Sequence, residues 1–479
     1  MNYRLIARTL GLILLIYTGL MLLPAIVGLL YGESMLPFLK AMLIAAIPGA
    51  LLYLSGPNSR NLVTRDGFVI VGLGWIIISA FGALPFVFSG CFHFVDALFE
   101  TASGLSTTGA TVLTDFDAMP RGVMFWRIFN HWIGGMGVLV FLMAVLPMSG
   151  EHSMHIMRAE VPGPTVGKLV PRAKHSARIL YMIYVLLTLI ETIALRIAGM
   201  SLYDAVLHAF STAGTGGFST MANSINGFQS REIETILTVF MLLFGINFNL
   251  YYMILIGSFR KALMNEELHV YLILVAVCTT SIALTLHHVQ LLPVTDAFHD
   301  AVFNVATIIS TTGFGTADFT FWPEFCKWIL VLLMFCGGCA GSTGGGMKLS
   351  RIMILFKSSI AELRRISRPR NIVRVQMDGE RVKDETVQAT SQFAVLYFML
   401  LLIFSLLLSL DGIDFATAFT ASLSCLSNVG PGMTEIIGPA GGFAFFSIRS
   451  KLLLTLAMLI GRLEIYPILL LFLPRTWRR

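Results

Sequence analysis

The sequence predicts an all-α polytopic membrane protein. Its four repeats, each a membrane helix, a short re-entrant helix and a second membrane helix, surround a pseudo-fourfold axis, and two extra transmembrane helices precede them. Of the 479 residues, 56% are hydrophobic and 13% are charged, and the mean hydropathy is +0.80. A soluble chain carries about 25% charged residues. Several apolar runs exceed about 18 residues, which is enough to cross a bilayer core roughly 30 Å thick.

The repeats are recognised by a glycine motif that occurs four times. Its copies are Ser106-Thr107-Thr108-Gly109-Ala110-Thr111, Thr215-Gly216-Gly217-Phe218-Ser219, Ser310-Thr311-Thr312-Gly313-Phe314-Gly315 and Ser427-Asn428-Val429-Gly430-Pro431-Gly432. The central glycines are 108, 96 and 117 residues apart. An alanine stands twelve residues before each one, at Ala97, Ala205, Ala301 and Ala418. A fixed pattern with a loose period near one hundred residues indicates an internal repeat.

Each repeat is read in the same order along the chain. We predict an N-terminal helix pair in residues 1–60, repeat one in 61–150, repeat two in 151–260, repeat three in 261–356, and an inner loop with repeat four in 357–479. The re-entrant helices are expected at 94–106, 202–214, 295–310 and 414–427. The returning membrane helices are expected at 122–147, 233–257, 325–355 and 449–473. Non-helical backbone at membrane depth is tolerated where it lines a cavity, so the four loops are expected to meet.

Charge sets the expected orientation. Ten spans with the four loops outside place both termini inside, and 23 of the 33 Lys and Arg residues then lie on the inner side. This bias accounts for the basic residues, and no nucleic-acid partner is expected. The polar stretch 357–385, with Arg364, Arg365, Arg368 and Arg370, fits positive-inside bias with anionic lipid contact. It also fits a docking surface for a cytosolic regulator, for which the inner loop 151–175 is a second candidate.

The four copies have the composition of a cation filter. Extended backbone at glycine aims carbonyl oxygens at a dehydrated cation, and uncharged ligands let the ion leave again. We call the central segments 107–109, 215–217, 311–313 and 428–430 the four glycine loops. The predicted ion-binding residues are Thr107, Thr108, Gly109, Thr215, Gly216, Gly217, Thr311, Thr312, Gly313, Asn428, Val429 and Gly430. The alternative is that these are turns that join helices.

A second glycine-rich stretch, residues 337–348, falls inside the returning helix of repeat three. Glycine costs about 1 kcal/mol per helical position relative to alanine, so this helix is expected to break. The candidate gate residues there are Gly337, Gly338, Gly341, Gly344, Gly345, Gly346 and Lys348. A break on a pore-lining helix would serve as a gate. The alternative is close helix packing through small residues.

Charged and polar side chains inside the membrane segments are the remaining candidates. Arg462 lies in an apolar run, where a charge is costly and usually functional. It is expected to face the pore as an electrostatic barrier, or else to pair with Glu464 or a neighbouring helix. For Asn130, His131, Asn247 and Asn249, helix–helix hydrogen bonds are expected. The sequence contains no constellation of catalytic residues, so an enzyme is not expected.

Together these motifs resemble the superfamily of bacterial Trk and Ktr potassium uptake proteins and their fungal and plant relatives. Besides the four motifs, the matching features are the stretch 337–346, Arg462 and Trp132-Ile133-Gly134-Gly135-Met136-Gly137. The extra N-terminal helix pair is similar to that of the Trk-type membrane subunits. The likeness covers essentially the whole chain. Gly214 departs from the pattern, since serine stands at that position in the other three copies.

The resemblance implies properties that the residues alone do not. It implies potassium uptake across a bacterial inner membrane, with K⁺ as the transported ion, no covalently bound cofactor, and a potassium preference marked by glycine at Gly109. It implies a homodimer with one pore in each subunit. It also implies a TrkA-like cytosolic ring partner, which would carry the regulatory nucleotide. Stretch 337–346 and Arg462 would be the gating loop and the pore arginine.

A secondary transporter is the alternative class of protein. A secondary transporter coupled to protons or sodium could use broken helices for alternating access. The repeats, however, number four rather than two, and no membrane carboxylate is placed to carry protons. Glu191 is the nearest candidate, and we interpret it as structural.

Overall fold

The computed structural model describes residues 1–56, 64–137, 173–368 and 374–477, and these residues are mostly helical. The second candidate docking loop, 151–175, lies outside the described residues except at its last three positions, and Arg370 also lies outside. Helices that begin and end near the predicted bounds confirm the all-α membrane fold.

The N-terminal helix pair packs closely, as expected. It consists of α1 (Tyr3–Leu20), which continues into α2 (Leu22–Leu30), and α3 (Leu36–Leu54). A Cβ added at Gly11 of α1 would lie 2.4 Å from the amide nitrogen of Tyr53, so the backbones of α1 and α3 are in contact. The pair also holds repeat one, because the Glu33 carboxylate accepts the Gly122 amide at 2.8 Å.

The four repeats follow in order. Repeat one contains α4 (Thr64–Gly82), α5 (Leu84–Phe88), α6 (Phe94–Leu105) and α7 (Arg121–Gly135). Repeat two contains α8 (Ala173–Ile197), α9 (Leu202–Gly214), α10 (Arg231–Phe244), α11 (Phe248–Leu255) and α12 (Phe259–Leu263). Repeat three contains α13 (Glu266–Gln290), α14 (Val294–Ile309), α15 (Glu324–Cys336) and α16 (Leu349–Ser367).

Repeat four begins with a short hairpin that joins it to repeat three. Strands β1 (Gln376–Met377) and β2 (Glu380–Arg381) pair antiparallel. The helices of repeat four are α17 (Asp384–Ser409), α18 (Phe415–Ser427), α19 (Ile448–Arg462), α20 (Tyr466–Phe472) and α21 (Pro474–Trp477). Short 3₁₀ turns at Ser224–Phe228 and Phe319–Phe321 complete the described elements.

The re-entrant helices α6, α9, α14 and α18 are the elements that position the site. They are 12 to 16 residues long. At 1.5 Å per residue they reach at most about 24 Å, which is short of a bilayer core. Side-chain caps begin two of them: Ser201 accepts the Asp204 amide at 3.1 Å, and Asp414 accepts the Thr417 amide at 3.0 Å. The hydrogen bonds from Thr417 hold the pKa of the Asp414 carboxyl below its ordinary value.

The returning helices differ from the prediction. We expected a break only in repeat three, but repeats two and four are also broken. Helices α10 and α11 bend by 86° at their junction. In repeat four, Glu464 and Ile465 adopt φ of +56° and +69° between α19 and α20. In repeat one the predicted segment beyond residue 137 lies outside the described residues.

The bend in repeat two has a local cause. The Asn247 side-chain oxygen accepts the Asn249 amide at 2.9 Å, so Asn247 is the N-cap of α11. An N-cap residue takes non-helical backbone angles, which ends the preceding helix. The expectation that Asn247 bonds to a neighbouring helix was therefore wrong. Within the described ranges, six helices are long and apolar enough to cross a membrane unbroken, or seven with the bent pair. The ten predicted spans include the returning helix of repeat one, which lies partly outside the described residues, so that number stays a prediction.

Candidate ion pathway

The four re-entrant helices end in the same way. Just beyond each helix, one residue adopts a left-handed backbone conformation, with φ between 55° and 60°. These residues are Thr107, Thr215, Thr311 and Asn428. The next amide then bonds back to a carbonyl five residues earlier, at 2.8 to 2.9 Å, in all four repeats. This is the Schellman closure of a helix, in which a left-handed residue turns the chain out of the helix axis. The glycine loops are thus built by one repeated device.

Threonine is an unusual residue for this closure. A left-handed conformation costs a residue with a side chain about 1 to 2 kcal/mol, and branching at Cβ makes it rarer still. Asparagine tolerates the conformation better, which explains the change to Asn428 in repeat four. The Asn428 amide also donates to the Thr108 hydroxyl at 3.0 Å and to the Met458 carbonyl at 2.9 Å. Asn428 therefore joins repeat four to repeat one and to its own returning helix.

The central glycines form a closed ring of contacts. Gly109, Gly217, Gly313 and Gly430 all have positive φ, from 78° to 107°. A Cβ added at each would meet the carbonyl oxygen of the next repeat, and that of the fourth would meet the first. The distance from the added Cβ to the carbonyl oxygen is 2.0 Å for Gly109 and Gly216, 2.1 Å for Gly217 and Thr312, 2.1 Å for Gly313 and Val429, and 2.7 Å for Gly430 and Thr108. The loops therefore surround one axis in chain order.

All twelve predicted ion-binding residues are brought together in this ring. The threonines, Asn428 and Val429 are buried. The central glycines of the first three repeats, however, keep partial solvent exposure. The axis is thus open to solvent at the glycines, while the side chains beside them face the protein. The twelve residues form a common structural unit rather than four separate turns.

Repeat two has a histidine ring beside Gly216, where the other glycine loops carry the side chains of Thr108, Thr312 and Val429. The imidazole of His131, on α7, occupies the space beside Gly216, where a Cβ would lie 2.3 Å from the ring. A Cβ at Gly214 would lie 2.3 Å from the His131 carbonyl oxygen, which explains why serine is replaced there. His131 Nδ1 lies 2.8 Å from the Gly104 carbonyl, and Nε2 accepts the Phe218 amide at 3.3 Å. The prediction that His131 bonds to a neighbouring helix is confirmed, because Gly104 belongs to α6. The sequence did not predict that His131 also supports the glycine loop of repeat two.

The stretch 337–348, which we call the glycine-rich break, separates α15 from α16 as predicted. It lies against the C-terminal ends of α14 and α18. The Gly345 amide donates to the Thr311 hydroxyl at 2.7 Å, and a Cβ at Gly345 would lie 2.2 Å from the Ser427 carbonyl. A Cβ at Gly344 would lie 2.8 Å from the Ser310 carbonyl. Glycine is required at both positions because the break touches the backbone beneath the glycine loops.

The break also fills the bend between α10 and α11. The Cys339 amide donates to the Gly245 carbonyl at 2.9 Å, and the Phe248 amide donates to the Gly341 carbonyl at 3.1 Å. The broken helices of repeats two and three thus satisfy each other's backbone groups. Irregular backbone at membrane depth needs such partners, because no water is present to replace them. Close packing through small residues is therefore present at this site.

Arg462 joins the break to repeat one. It donates to the Thr343 carbonyl at 2.7 Å and to the carbonyls of Gly134 and Gly135 at 2.5 and 2.7 Å. Glu464, which was weighed as its partner, forms a bidentate pair with Arg351 at 2.6 and 3.0 Å.

Lys348 has a positive φ of 72° and is 1% exposed. Its amine donates to the Gly344 carbonyl and to the Ser342 hydroxyl within the break. The structure therefore places this amine on the break's own polar groups.

Glu267 is a functional candidate that the sequence did not reveal. One of its carboxylate oxygens accepts the Ala340 amide at 2.7 Å and the Ser350 amide at 3.0 Å. It therefore ties Ala340, within the glycine-rich break, to Ser350 at the start of α16, and it is 4% exposed. In the sequence, Glu266 and Glu267 follow Asn265 at the start of an apolar helix, and this pattern indicates an N-terminus and nothing more.

Replacing Glu267 with alanine is expected to destabilise the protein by about 3 kcal/mol, because two buried amides lose a charged acceptor. Glu267→Gln is the matched control. Its side-chain oxygen can still accept both amides, so we expect less than half of that loss. Thermal unfolding in detergent, followed by tryptophan fluorescence, measures both. Equal losses in the two variants would show that the clamp depends on the charge rather than on the hydrogen bonds.

Comparison with known proteins places this architecture in a family. The model of the TrkH family, described as cation transport proteins, matches residues 34–478. The Trk system potassium uptake protein TrkH of Salmonella typhimurium is 37% identical over 490 residues and covers 100% of both chains. TrkG of Escherichia coli K12 is 34% identical, covering 100% of this chain and 99% of the relative.

A solved structure has the same fold along the whole chain. It is the crystal structure of the potassium transporter TrkH from Vibrio parahaemolyticus, with a TM-score of 0.90 and 34% sequence identity. The alignment covers 100% of both chains. The chain therefore belongs to the TrkH family of cation transport proteins.

Proposed function

We propose that this chain takes up potassium ions across a bacterial inner membrane through a pore on the axis of the four glycine loops. The observation that carries the proposal is the closed ring, in which each central glycine faces the carbonyl of the next repeat. Four loops joined in chain order around one axis are what a single ion pathway requires. The related proteins are named as potassium uptake proteins, and a member of a transport family is a transport protein rather than an enzyme.

The ion-binding groups in this proposal are backbone carbonyls of the glycine loops. Carbonyl oxygens replace the water around a dehydrated cation without fixed charge, so the ion binds and leaves. The buried threonines and Asn428 hold the left-handed turns, and the partly exposed glycines leave the axis free of side chains. Because of the family resemblance, the glycine at position 109 supports a preference for potassium over sodium.

The glycine-rich break is the proposed gate. It lies directly against the ends of α14 and α18, so its position controls the path on that side of the loops. Arg462, Lys348 and Glu267 hold it in place through polar contacts with backbone groups. Opening would require these contacts to exchange for others, and glycines allow the backbone change that this needs. Arg462 adds a positive charge beside the pathway, where it opposes entry of a cation.

A cytosolic, nucleotide-binding ring of the TrkA kind is the proposed regulator. The homodimer and both cytoplasmic termini belong to the same proposal, and all three rest on the resemblance and the charge bias. The exposed arginines of α16, including Arg364 and Arg365, offer a basic surface for a partner or for anionic lipid. The neighbouring hairpin supports a chain of contacts from this surface to the glycine-rich break, because Asp378 in the hairpin accepts the Glu266 amide at 2.7 Å. Glu266 precedes Glu267, which clamps the break.

The test is the reversal potential of the purified protein in a planar bilayer, under opposed potassium and sodium gradients. We expect discrete single-channel steps that reverse near the potassium equilibrium potential. A closed gate would silence the bilayer, so Glu267→Ala is recorded beside the wild type. Currents that follow an imposed proton gradient would contradict the pore and favour a coupled transporter that works by alternating access.

A further inference from the structure

A buried ion pair lies beside the first two glycine loops, and the proposed function does not use it. Arg127, on α7, meets Glu100, on α6, with Nε 2.6 Å from Oε1. The two side chains are 1% and 0% exposed. Burying a charge is costly unless its hydrogen-bonding groups are satisfied, so the remaining partners of both residues show what the pair holds.

Glu100 holds the chain that leaves loop one. Its Oε1 accepts the Thr111 hydroxyl at 2.7 Å, and its Oε2 accepts the Val112 amide at 2.9 Å. Thr111 is two residues beyond the central Gly109. Both carboxylate oxygens are therefore directed to the segment that fixes where loop one ends.

Arg127 holds the chain that leaves loop two. Its Nη1 donates to the Ser219 carbonyl at 3.2 Å, and its guanidinium carbon lies 3.6 Å from the centre of the Phe218 ring. Phe218 follows the central Gly217 directly, and its ring packs against that of His131, with the ring centroids 4.2 Å apart. A guanidinium on an aromatic face fixes the ring by cation–π attraction. The ion pair therefore connects the exits of two neighbouring loops.

Among the described residues, the contacts that join the other loop exits are made by neutral groups, and the ion pair between repeats four and one, Lys451 with Asp96, lies at helix starts. Repeats two and three are joined by the Ile225 amide, which donates to the Gly315 carbonyl at 3.1 Å. Repeats four and one are joined by the Phe443 amide, which donates to the Thr111 carbonyl at 2.7 Å. Repeats three and four meet where a Cβ at Gly315 would lie 2.8 Å from Pro439. The junction of repeats one and two therefore differs from the other three, because a charged pair, Arg127 with Glu100, connects its loop exits.

We propose that Arg127 and Glu100 are positioning residues that fix the spacing of loops one and two and thereby set the preference for potassium over sodium. This inference rests on the proposed function. Neither side chain touches the axis, so each acts through the backbone it holds. Carbonyls held at a fixed spacing cannot close around a smaller cation, whereas a loosened pair of loops can. A merely structural ion pair would change stability and leave selectivity unaltered.

The test uses variants that remove the pair without leaving one charge buried alone. The double variant Glu100→Leu with Arg127→Met replaces both charges by apolar groups, a change that buried pairs often tolerate. We expect it to fold, to conduct, and to show a permeability ratio of potassium to sodium at least tenfold lower than the wild type. Arg127→Lys keeps the charge but loses the planar fork and its stacking. We expect about a threefold fall in that variant.

The control and the outcomes separate this inference from the proposed function. Arg231→Met removes an exposed ion pair with Asp296 at the start of α10, and its ratio is expected to equal that of the wild type. A selective wild type with unchanged ratios in the folded double variant would overturn the inference alone. If the double variant does not fold, the ratio of Arg127→Lys decides in the same way. A wild type without potassium selectivity would overturn the proposed function and the inference with it.

Discussion

Replacement of Gly313 by serine is expected to lower the permeability ratio of potassium to sodium by at least tenfold. Gly313 has φ of +84°, where a residue with a side chain is strained by about 1 to 2 kcal/mol. Its Cβ would also lie 2.1 Å from the Val429 carbonyl oxygen, so that oxygen must move. Because Val429 belongs to the next glycine loop, one substitution displaces proposed ion ligands in two repeats.

Gly412→Ser separates the effect of this contact from the effect of backbone strain. Gly412 has a similar φ of +75°, but a Cβ there would meet no atom within 4 Å. We expect a comparable loss of thermal stability without a change in selectivity. The measurement for both variants is the reversal potential under opposed potassium and sodium gradients. An unchanged ratio in Gly313→Ser would show that the Val429 carbonyl does not bind the ion.

Replacement of Arg462 by glutamine is expected to raise potassium flux at least tenfold in the absence of any partner. Arg462 donates to three carbonyls that join the glycine-rich break to α7. Hydrogen bonds from a charged donor contribute about 1.5 to 3 kcal/mol each. If the free-energy difference that favours the closed state falls by about 1.4 kcal/mol, the population of the open state already rises tenfold. The change also removes a positive charge beside the proposed pathway.

Arg462→Lys is the matched variant for this prediction. It keeps the charge, but a lysine amine does not reproduce the planar fork that reaches separated carbonyls. We expect flux between that of the wild type and that of Arg462→Gln, measured as potassium uptake into proteoliposomes of equal protein content. Flux in Arg462→Gln at or below the wild-type level would contradict a role of Arg462 in holding the gate closed.

Repeated local patterns explain why much of the architecture was predictable. The bounds expected for α9 match the structure, and those of the other re-entrant helices agree within one residue. Short apolar helices that end in a left-handed residue and a glycine are set by nearby residues, so the four glycine loops could be found by alignment alone. The break at 337–348 was predictable for the same reason, since clustered glycines weaken a helix wherever it packs.

The contacts between repeats could not be read from the chain. Asn428 and Thr108 are 320 residues apart, and Arg462 bonds to Gly134 from 328 residues away. The His131 ring occupies the side-chain position beside Gly216 in repeat two, although His131 belongs to the returning helix of repeat one. Glu267 has the sequence pattern of a helix start, yet it clamps a segment 73 residues further along.

The sequence by itself determined that the chain lies in a membrane, that it contains four repeats, and where each glycine stands, because composition and local backbone preference are properties of short segments. Only the tertiary structure decided the order of the loops around the axis, the breaks in repeats two and four, and the partners of Arg462, Glu267 and Arg127. A buried polar group in a membrane must find a partner, and which one it finds depends on how distant helices pack.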